Sequence, residues 1–300
     1  MTIRGNSPSL HGRRVGVSPN DQLVASGGFV AGGGLKPSIV FPAPDVVAVF
    51  DDFLGGMPSG ITDTGMAGTF FHRRAGDTGC LGAIAAVTNG VYRLTMSSSL
   101  ATVTPAGTAT GIVGPALAWK ANMGPGGVAG RLRLGVRLKA ATYTMGGIFV
   151  GFTDTVAAGE MPFYDTGDAQ PTDTGQLHTG TVASDLVGFY FGENADTGWR
   201  GISAKSTAGD SGDQQVSLTQ VDPTANTYQV LEVELLRDVG DTGGVARFYI
   251  DGVGKGQISS PVASNVALTP CVFLCDVNAT GAAVLDIDWI NVSAERDTGT

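Results

Sequence analysis

Residues 131–139, RLRLGVRLK, alternate basic and apolar side chains along the whole segment. Successive side chains of a β-strand point to opposite faces of its sheet, so this pattern predicts a strand with one buried and one exposed face. The segment LEVEL at 231–235 alternates in the same way and places Glu232 and Glu234 on the polar face of a second strand. Because opposite charges on neighbouring strands attract one another, we expect these glutamates to pair with the basic face of the first strand. The predicted basic face consists of Arg131, Arg133, Arg137 and Lys139, and the predicted apolar face consists of Leu132, Leu134, Val136 and Leu138.

Most of residues 45–293 follows this strand-rich pattern. The segment VARFYID at 245–251 alternates with Phe248 on its apolar face, and it ends at an Asp251-Gly252 pair typical of a hairpin turn. No segment has the periodicity of an amphipathic helix. Close to a dozen short strands separated by turn residues predict an all-β sandwich or barrel. The further predicted strands are 46–53, 91–96, 112–119, 147–153, 186–191, 199–205, 271–277 and 284–292.

The composition indicates a folded, acidic protein. Of 300 residues, 42% are hydrophobic and 15% are charged, and the formal net charge is −9. A net negative charge disfavours nucleic acid as a partner. No apolar stretch reaches the roughly 18 residues that a membrane helix needs. We therefore predict neither a nucleic-acid partner nor a membrane span.

Cysteine usage indicates assembly in a reducing compartment. Cys80, Cys271 and Cys275 are odd in number. The last two share a predicted strand, on which they would stand about 13 Å apart at ~3.3 Å per residue. That separation is beyond the reach of a disulfide. The first residues also lack the apolar region of a secretory signal, so we expect buried thiols and assembly in the cytoplasm.

Residues 1–44 differ in composition from the body of the chain. They are rich in Gly and Pro, nearly free of acidic residues, and contain only short apolar islands. Such a segment cannot build its own core, and Gly-rich termini are ordered only when another surface holds them. We interpret residues 1–44 as an extended arm that binds a partner, and residues 294–300 as a C-terminal tail. The residues predicted to bind this partner are Arg13, Arg14, Leu23, Phe29, Val40 and Phe41.

Several segments share a pattern with one family of β-sandwiches. They are YQVLEVELLRD (228–238), ARFYIDGVGKG (246–256), ALTPCVFL (267–274), VLDIDWINV (284–292) and, at the start of the body, FDDFLGG (50–56). Together they resemble the strands of concanavalin A-like lectin/glucanase jelly rolls. The resemblance implies a concanavalin A-like jelly-roll sandwich over about residues 45–293, preceded by the extended N-terminal arm. Modules of this kind also occur in tailed-phage virion proteins.

The acidic residues do not form a catalytic pattern. Asp-Thr-Gly, the tripeptide of aspartic proteases, occurs seven times, but in predicted turns, where Asp and Gly are favoured. Jelly-roll glucanases resemble one another in an E-x-D-x-x-E or E-x-D-x-E strand, and none of the five glutamates stands in that pattern. Retaining hydrolysis requires two carboxylates roughly 5 Å apart. We therefore predict that the chain is not an enzyme and needs no cofactor.

Two small groups of residues suggest binding sites. Asp286 and Asp288, with the two aspartates of FDDFLGG, offer carboxylates to a calcium ion, but they lack the spacing of a calcium-binding loop. No metal site is predicted. Tyr190 and Trp199 are candidate rings for stacking on a glycan, although aromatic residues on strands more often belong to the core. Both interpretations of these rings stay open at this point.

These observations lead to a functional prediction. The chain is predicted to be a non-catalytic virion structural protein, either a capsid decoration (cement) subunit or a head-fibre subunit. The arm anchors it to the shell, and weak glycan adhesion is an additional role. Its predicted partners are the major capsid protein or other virion subunits and further copies of itself, on the capsid surface after assembly in the host cytoplasm. Two alternatives stay open: a carbohydrate-binding module or glucanase-like polysaccharide-active protein, and a tail or spike component.

Overall fold

The structure is a computed structural model in which all described regular structure is β-strand, in two antiparallel sheets. The all-β prediction is therefore confirmed. The predicted arm, residues 1–44, lies outside the described residues, and the last strand continues to Glu295, into the predicted tail. The described residues are 46–53, 72–75, 80–84, 90–96, 109–114, 119–121, 131–141, 147–154, 183–191, 198–205, 214–218, 224–236, 244–263, 266–275 and 283–295. They contain no helix of the length and apolarity that crossing a bilayer requires.

Sheet A contains β1 (Val46–Asp51), β3 (Cys80–Ile84), β4 (Tyr92–Met96), β7 (Arg131–Ala140), β12 (Gln229–Leu236), β13 (Val245–Ile250), β14 (Val253–Ser259) and β16 (Ala283–Glu295). Its strand order is β14-β13-β12-β7-β16-β4-β3, and β1 pairs with the C-terminal half of β16. The long strands β7 and β16 therefore lie side by side in the middle of the sheet.

Sheet B contains β2 (His72–Ala75), β5 (Ala109–Val113), β6 (Trp119–Ala121), β8 (Gly147–Thr153), β9 (Leu186–Phe191), β10 (Arg200–Ala204), β11 (Gln214–Ser217) and β15 (Val266–Cys275). Its strand order is β11-β10-β9-β8-β15-β5-β2, and β6 pairs with the first part of β15. Strands β8 to β11 follow one another as a meander.

The main core lies between the two sheets. In β7 the predicted alternation is confirmed, because the four apolar side chains at 132, 134, 136 and 138 are at most 4% exposed. Phe248 of sheet A meets Phe189 of sheet B edge to face, with ring centroids 5.2 Å apart. The Phe248 ring also covers Gly201, where a Cβ atom would come within 2.7 Å of it. The sheets therefore interlock at a density that leaves no room for an added methyl group here.

Sheet B carries a second buried apolar cluster, on the face that points away from sheet A. It includes Phe149 and Tyr190. Beside these rings, Gly151 and Gly188 face each other across the β8–β9 pair. A Cβ atom at Gly188 would lie 2.4 Å from the Val150 carbonyl oxygen, so the close approach of these two strands requires glycine.

Most predicted strands are confirmed within a few residues, and the exceptions have physical reasons. The predicted strand 112–119 is two strands, β5 and β6, which pair with different parts of β15. Strand β15 starts earlier than the predicted residue 271 because it continues through Pro270. The Gly114 N–H donates to the Pro270 carbonyl oxygen at 2.8 Å, but Pro270 has no N–H to return, and the pairing with β5 ends here before pairing with β6 begins. Strand β14 is the second strand of the hairpin predicted at Asp251-Gly252. Strands β2, β3 and β11 have no predicted counterpart.

Two carboxylates lie at the end of the β8–β9 pair. The Asp154 N–H donates to the Asp185 carbonyl at 3.0 Å, and the Asp185 carboxylate accepts a hydrogen bond from the Ala263 N–H. Oδ1 of Asp154 is buried without a hydrogen-bond partner. Burial raises the pKa of Asp154, and the charge of Asp185 raises it further, against the opposing effect of backbone hydrogen bonds at Asp185 and Ser184. The folded state therefore disfavours the ionised form of Asp154.

Replacing Gly188 with Ala tests the close approach of β8 and β9. The added methyl group would meet main-chain atoms that cannot move aside, so we expect the free energy of unfolding to fall by about 1–3 kcal/mol or more. Gly254→Ala is the matched control, because the nearest atom to its Cβ position is 3.7 Å away on Tyr249, and its effect should stay within about 0.5 kcal/mol. Urea denaturation of both variants measures the difference, and equal midpoints would show that the close approach is not required.

Asp154→Asn should stabilise the protein at neutral pH. A carboxyl group whose pKa is raised by folding contributes stability that is fully present below its ordinary pKa near 3.8 and is lost as the pH rises through the raised value. The amide never ionises, and its oxygen still accepts the backbone hydrogen bonds. We expect a higher unfolding temperature for the variant at pH 7, and an advantage that shrinks below pH 4. A pH-independent difference would contradict this explanation.

Candidate functional site

Neither residue predicted to stack on a glycan presents its ring to solvent. Trp199 is fully buried against the edges of Phe189 and Phe191, and its indole N–H donates to Oε1 of Gln229 at 3.0 Å. Tyr190 is also fully buried, in the apolar cluster on the outward face of sheet B. A sugar needs an accessible aromatic face, so the core interpretation describes both rings in this structure.

The residues predicted to bind a virion partner, Arg13, Arg14, Leu23, Phe29, Val40 and Phe41, lie outside the described residues. Their role in binding stays a prediction.

The outward face of sheet A contains the predicted pairing between β7 and β12. Nη2 of Arg133 lies 2.8 Å from Oε1 of Glu232, and Nε of Arg131 lies 3.0 Å from Oε1 of Glu234. The second contact is an ion pair without hydrogen-bond alignment. Glu234 also accepts a hydrogen bond from the Tyr249 hydroxyl at 3.2 Å, and burial, followed by the charge of Glu234, raises the pKa of Tyr249. The predicted pairing of the two glutamates with the basic strand is confirmed.

The same face contains a second pair of acids, from β16. Arg93 binds Asp286 with two parallel hydrogen bonds, Nε to Oδ1 at 2.6 Å and Nη2 to Oδ2 at 2.8 Å, and Lys139 Nζ lies 3.6 Å from Oδ2. Arg137 binds Asp288. The two β16 aspartates that the sequence analysis considered as calcium ligands are therefore ion-paired with basic side chains. In the described part of the chain, no group of three or more His, Cys, Asp or Glu side chains is arranged to hold a metal ion.

In each of these ion pairs the acid lies deeper than the base. The Asp286 side chain is 6% exposed, whereas that of Arg93 is 41% exposed. Asp288 and Arg137 differ in the same direction, at 18% and 40%. Long basic side chains cover the acids with their stems while their charged heads reach water. This face therefore presents basic groups to solvent.

Tyr228 lies among these charges. The Arg137 guanidinium carbon is 4.3 Å and the Lys139 ammonium nitrogen 4.9 Å from the centre of its ring. Cations over an aromatic face are attracted by its negative electrostatic potential. Burial raises the pKa of Tyr228, and the charges of Asp288 and Asp286 raise it further. The ring therefore fixes both cations while its hydroxyl stays protonated at neutral pH.

A β-bulge in β16 brings Trp289 to the same face. The register against β7 shifts between Ile287 and Trp289, so the strand contains one extra residue there and its alternation reverses. Ile287 and Ile290 are both fully buried, whereas Trp289 is partly exposed. Its indole lies against Gly135 of β7, where a Cβ atom would be 3.4 Å from Cζ3, and its ring centroid is 6.0 Å from that of Phe50. Because Gly135 has no side chain, the indole can lie across the strand.

We call these outward residues of sheet A the basic–aromatic surface: Arg93, Arg131, Arg133, Arg137, Lys139, Arg247, Tyr228, Trp289 and Phe50. The sequence pattern predicted its basic strand but not its aromatic members, because strict alternation from Leu285 places Trp289 inside. The available signal was a change of phase, since the apolar residues of this strand fall at 285 and 287 and then at 290 and 292. Such a shift is the sequence signature of a bulge.

No family model and no curated protein match this sequence. Among solved structures, the endo-1,3-β-glucanase from Streptomyces sioyaensis is 14% identical, with a TM-score of 0.47 and coverage of 85% of this chain and 99% of that one. The endo-β-1,4-glucuronan lyase from the fungus Trichoderma reesei is 9% identical, with a TM-score of 0.47 and coverage of 80% and 96%. Peanut lectin is 12% identical, with a TM-score of 0.45 and coverage of 85% and 99%.

These comparisons correct one prediction. The prediction that the chain is not an enzyme is contradicted, because glucanases and a lyase are among the similar structures, and we withdraw it. The likeness concerns the fold alone, so neither a residue's role nor an activity passes from these proteins to this chain. The predicted virion origin is not shown by any of them. The described residues form a two-sheet antiparallel β-sandwich, the architecture that the resemblance to concanavalin A-like jelly rolls implied.

Proposed function

We propose that the protein binds carbohydrate through the basic–aromatic surface of sheet A. The observation that carries this proposal is Trp289, a partly exposed indole held against the backbone of Gly135 and beside the ring of Phe50. A rigid aromatic ring offers a large apolar contact at a low cost in side-chain entropy. The apolar face of a sugar ring is a matching partner for such a surface.

Hydrogen-bonding groups stand on both sides of this indole. Arg137 is the direct partner of Trp289 in the β7–β16 register. On the other side, Glu232 approaches Gly135, with its Cγ 3.7 Å from the Cβ position. Binding sites for small polar molecules combine an apolar floor with a few placed polar groups that fix orientation. The arrangement therefore provides for both the apolar face and the hydroxyl groups of a sugar.

The shape of the surface favours a polymer over a single sugar. The basic row of β7 runs from Arg131 to Lys139, which is roughly 26 Å at ~3.3 Å per residue. It follows one strand on an outward sheet face, and an extended chain can lie along such a row and contact several residues at once. We therefore propose a polysaccharide as the ligand.

The predicted virion role is a separate matter. Placement on a capsid, with the major capsid protein or other virion subunits as partners, rests on the arm at residues 1–44. Those residues lie outside the described part of the chain, so this role stays a prediction. Carbohydrate binding by sheet A is independent of it.

Trp289→Ala should weaken binding to polysaccharide by about tenfold or more, equivalent to ~1.4 kcal/mol. The side chain is partly exposed, so we expect little change in the far-ultraviolet circular dichroism, which reports the backbone fold. A panel of plant, algal and bacterial polysaccharides identifies ligands of the wild-type protein, and isothermal titration then compares the variants. Release of reducing or unsaturated sugar in the same samples records any turnover.

Trp199→Phe is the matched control, since it changes the same residue type in the core. It removes the hydrogen bond to Gln229 and should lower the unfolding temperature without changing polysaccharide affinity. The proposal fails if the wild-type protein binds nothing in the panel, or if Trp289→Ala binds as tightly as the wild type.

A further inference from the structure

The described outward side chains of five strands of sheet A carry more basic than acidic groups, whereas the chain as a whole is acidic. The formal net charge of the chain is −9. Among the described outward side chains of β4, β7, β12, β13 and β16, six are basic and four are acidic, which leaves an excess of two positive charges. The basic residues are Arg93, Arg131, Arg133, Arg137, Lys139 and Arg247, and the acidic residues are Glu232, Glu234, Asp286 and Asp288. The excess of positive charge is therefore a property of these strands and not of the whole chain.

The depth of the charges increases this asymmetry. Glu232 and Glu234 are 7% and 8% exposed, beneath Arg133 and Arg131 at 23% and 33%. Arg247 is exposed on β13, next to β12. A ligand that approaches from solvent therefore meets guanidinium and ammonium groups before it meets carboxylates.

The buried acids leave donors free on the bases. A guanidinium group has five N–H donors in a fixed plane. Arg93 uses Nε and Nη2 for Asp286, and its side chain is still 41% exposed. The remaining N–H groups are held in place by the ion pair beneath them, which lowers the entropy cost of binding a further anion. Such donors bind a carboxylate in a bidentate manner.

We infer that the polysaccharide bound at the basic–aromatic surface is anionic and that its carboxylate groups bind the exposed arginines. This inference rests on the proposed function and deepens it. Along β7 the outward residues repeat every ~6.6 Å, and a basic residue stands at each outward position except Gly135, which offers two pairs of cations to a polymer with a repeated anionic unit. Trp289 lies beside this row and stacks on the sugar rings between the carboxylates.

The test compares two polymers with the same backbone. Polygalacturonate carries a carboxylate on each sugar, and fully methyl-esterified polygalacturonate carries none. We expect the wild-type protein to bind the first at least about tenfold more tightly than the second at low ionic strength, and this preference to shrink as salt is added. Single-stranded DNA of similar length serves as a polyanion without sugar carboxylates, and we expect it to bind weakly.

Two variants locate the binding on this face. Arg137→Gln combined with Asp288→Asn removes a base together with its acid, so no buried charge is left unpaired. Arg247→Gln changes a residue that is already exposed, so it tests the same surface if the double variant unfolds. Each should lower the affinity for polygalacturonate by about fivefold and reduce the preference for polygalacturonate over its ester. Lys205→Gln, next to β10 in sheet B, removes one positive charge, as Arg247→Gln does, and should not change the affinity for polygalacturonate.

The outcomes separate this inference from the proposed function. Equal affinity for both polymers, with loss on Trp289→Ala, overturns the anionic ligand and retains carbohydrate binding. Binding of DNA as tight as that of polygalacturonate, or wild-type affinity in both arginine variants, also overturns the inference. Absence of binding to either polymer overturns it as well, and overturns the proposed function too if the polysaccharide panel is also negative.

Discussion

Strand β7 pairs with β12 on one side and with β16 on the other, so three segments that are distant in sequence meet in the middle of sheet A. The inward leucines of β7 close the core against sheet B, and its outward bases receive two acids from each neighbouring strand. The apolar contacts on the inward side of β7 and the ion pairs on its outward side depend on the same strand register. A slip of one residue would move every charged side chain of β7 into the core, which is why the pairing admits a single arrangement.

The ion pairs are better understood as a consequence of this register than as the source of its stability. A buried acid without its base costs free energy, while an intact pair returns little more than it loses on desolvation. What the pairs do achieve is placement. Each guanidinium is held by an acid beneath it, and Tyr228 holds Arg137 and Lys139 over its ring. The outcome is a set of cations whose positions are fixed before any ligand arrives.

The sequence predicts which face of a strand is buried when the opposite face of that strand is exposed to solvent. Strand β7 and its neighbour β12 alternate in polarity, and both were predicted with the correct facing. Strand β9 is buried along its whole length, so its continuous apolar sequence does not show which side chains point to which face of the sheet. Pattern alone therefore cannot assign Tyr190 to the surface or to the core. Trp199 directly precedes β10, which is also mostly buried, and its indole N–H binds Gln229 of the opposite sheet. Short strands such as β2 and β11 give too few residues for a period to be recognised.

The bulge in β16 shows how much surface chemistry depends on a single inserted residue. Upstream of Asp288 the strand follows one phase, and downstream it follows the other, so Trp289 faces solvent and Ile290 faces the core. In an unbroken alternation of the same sequence, Trp289 would point into the core and Ile290 into solvent. Asp288 is the extra residue that prevents this, since Trp289 pairs with Arg137 and Ile290 with Val136 on either side of the shift. The strand can therefore carry a large ring to the surface without moving an isoleucine out of the core.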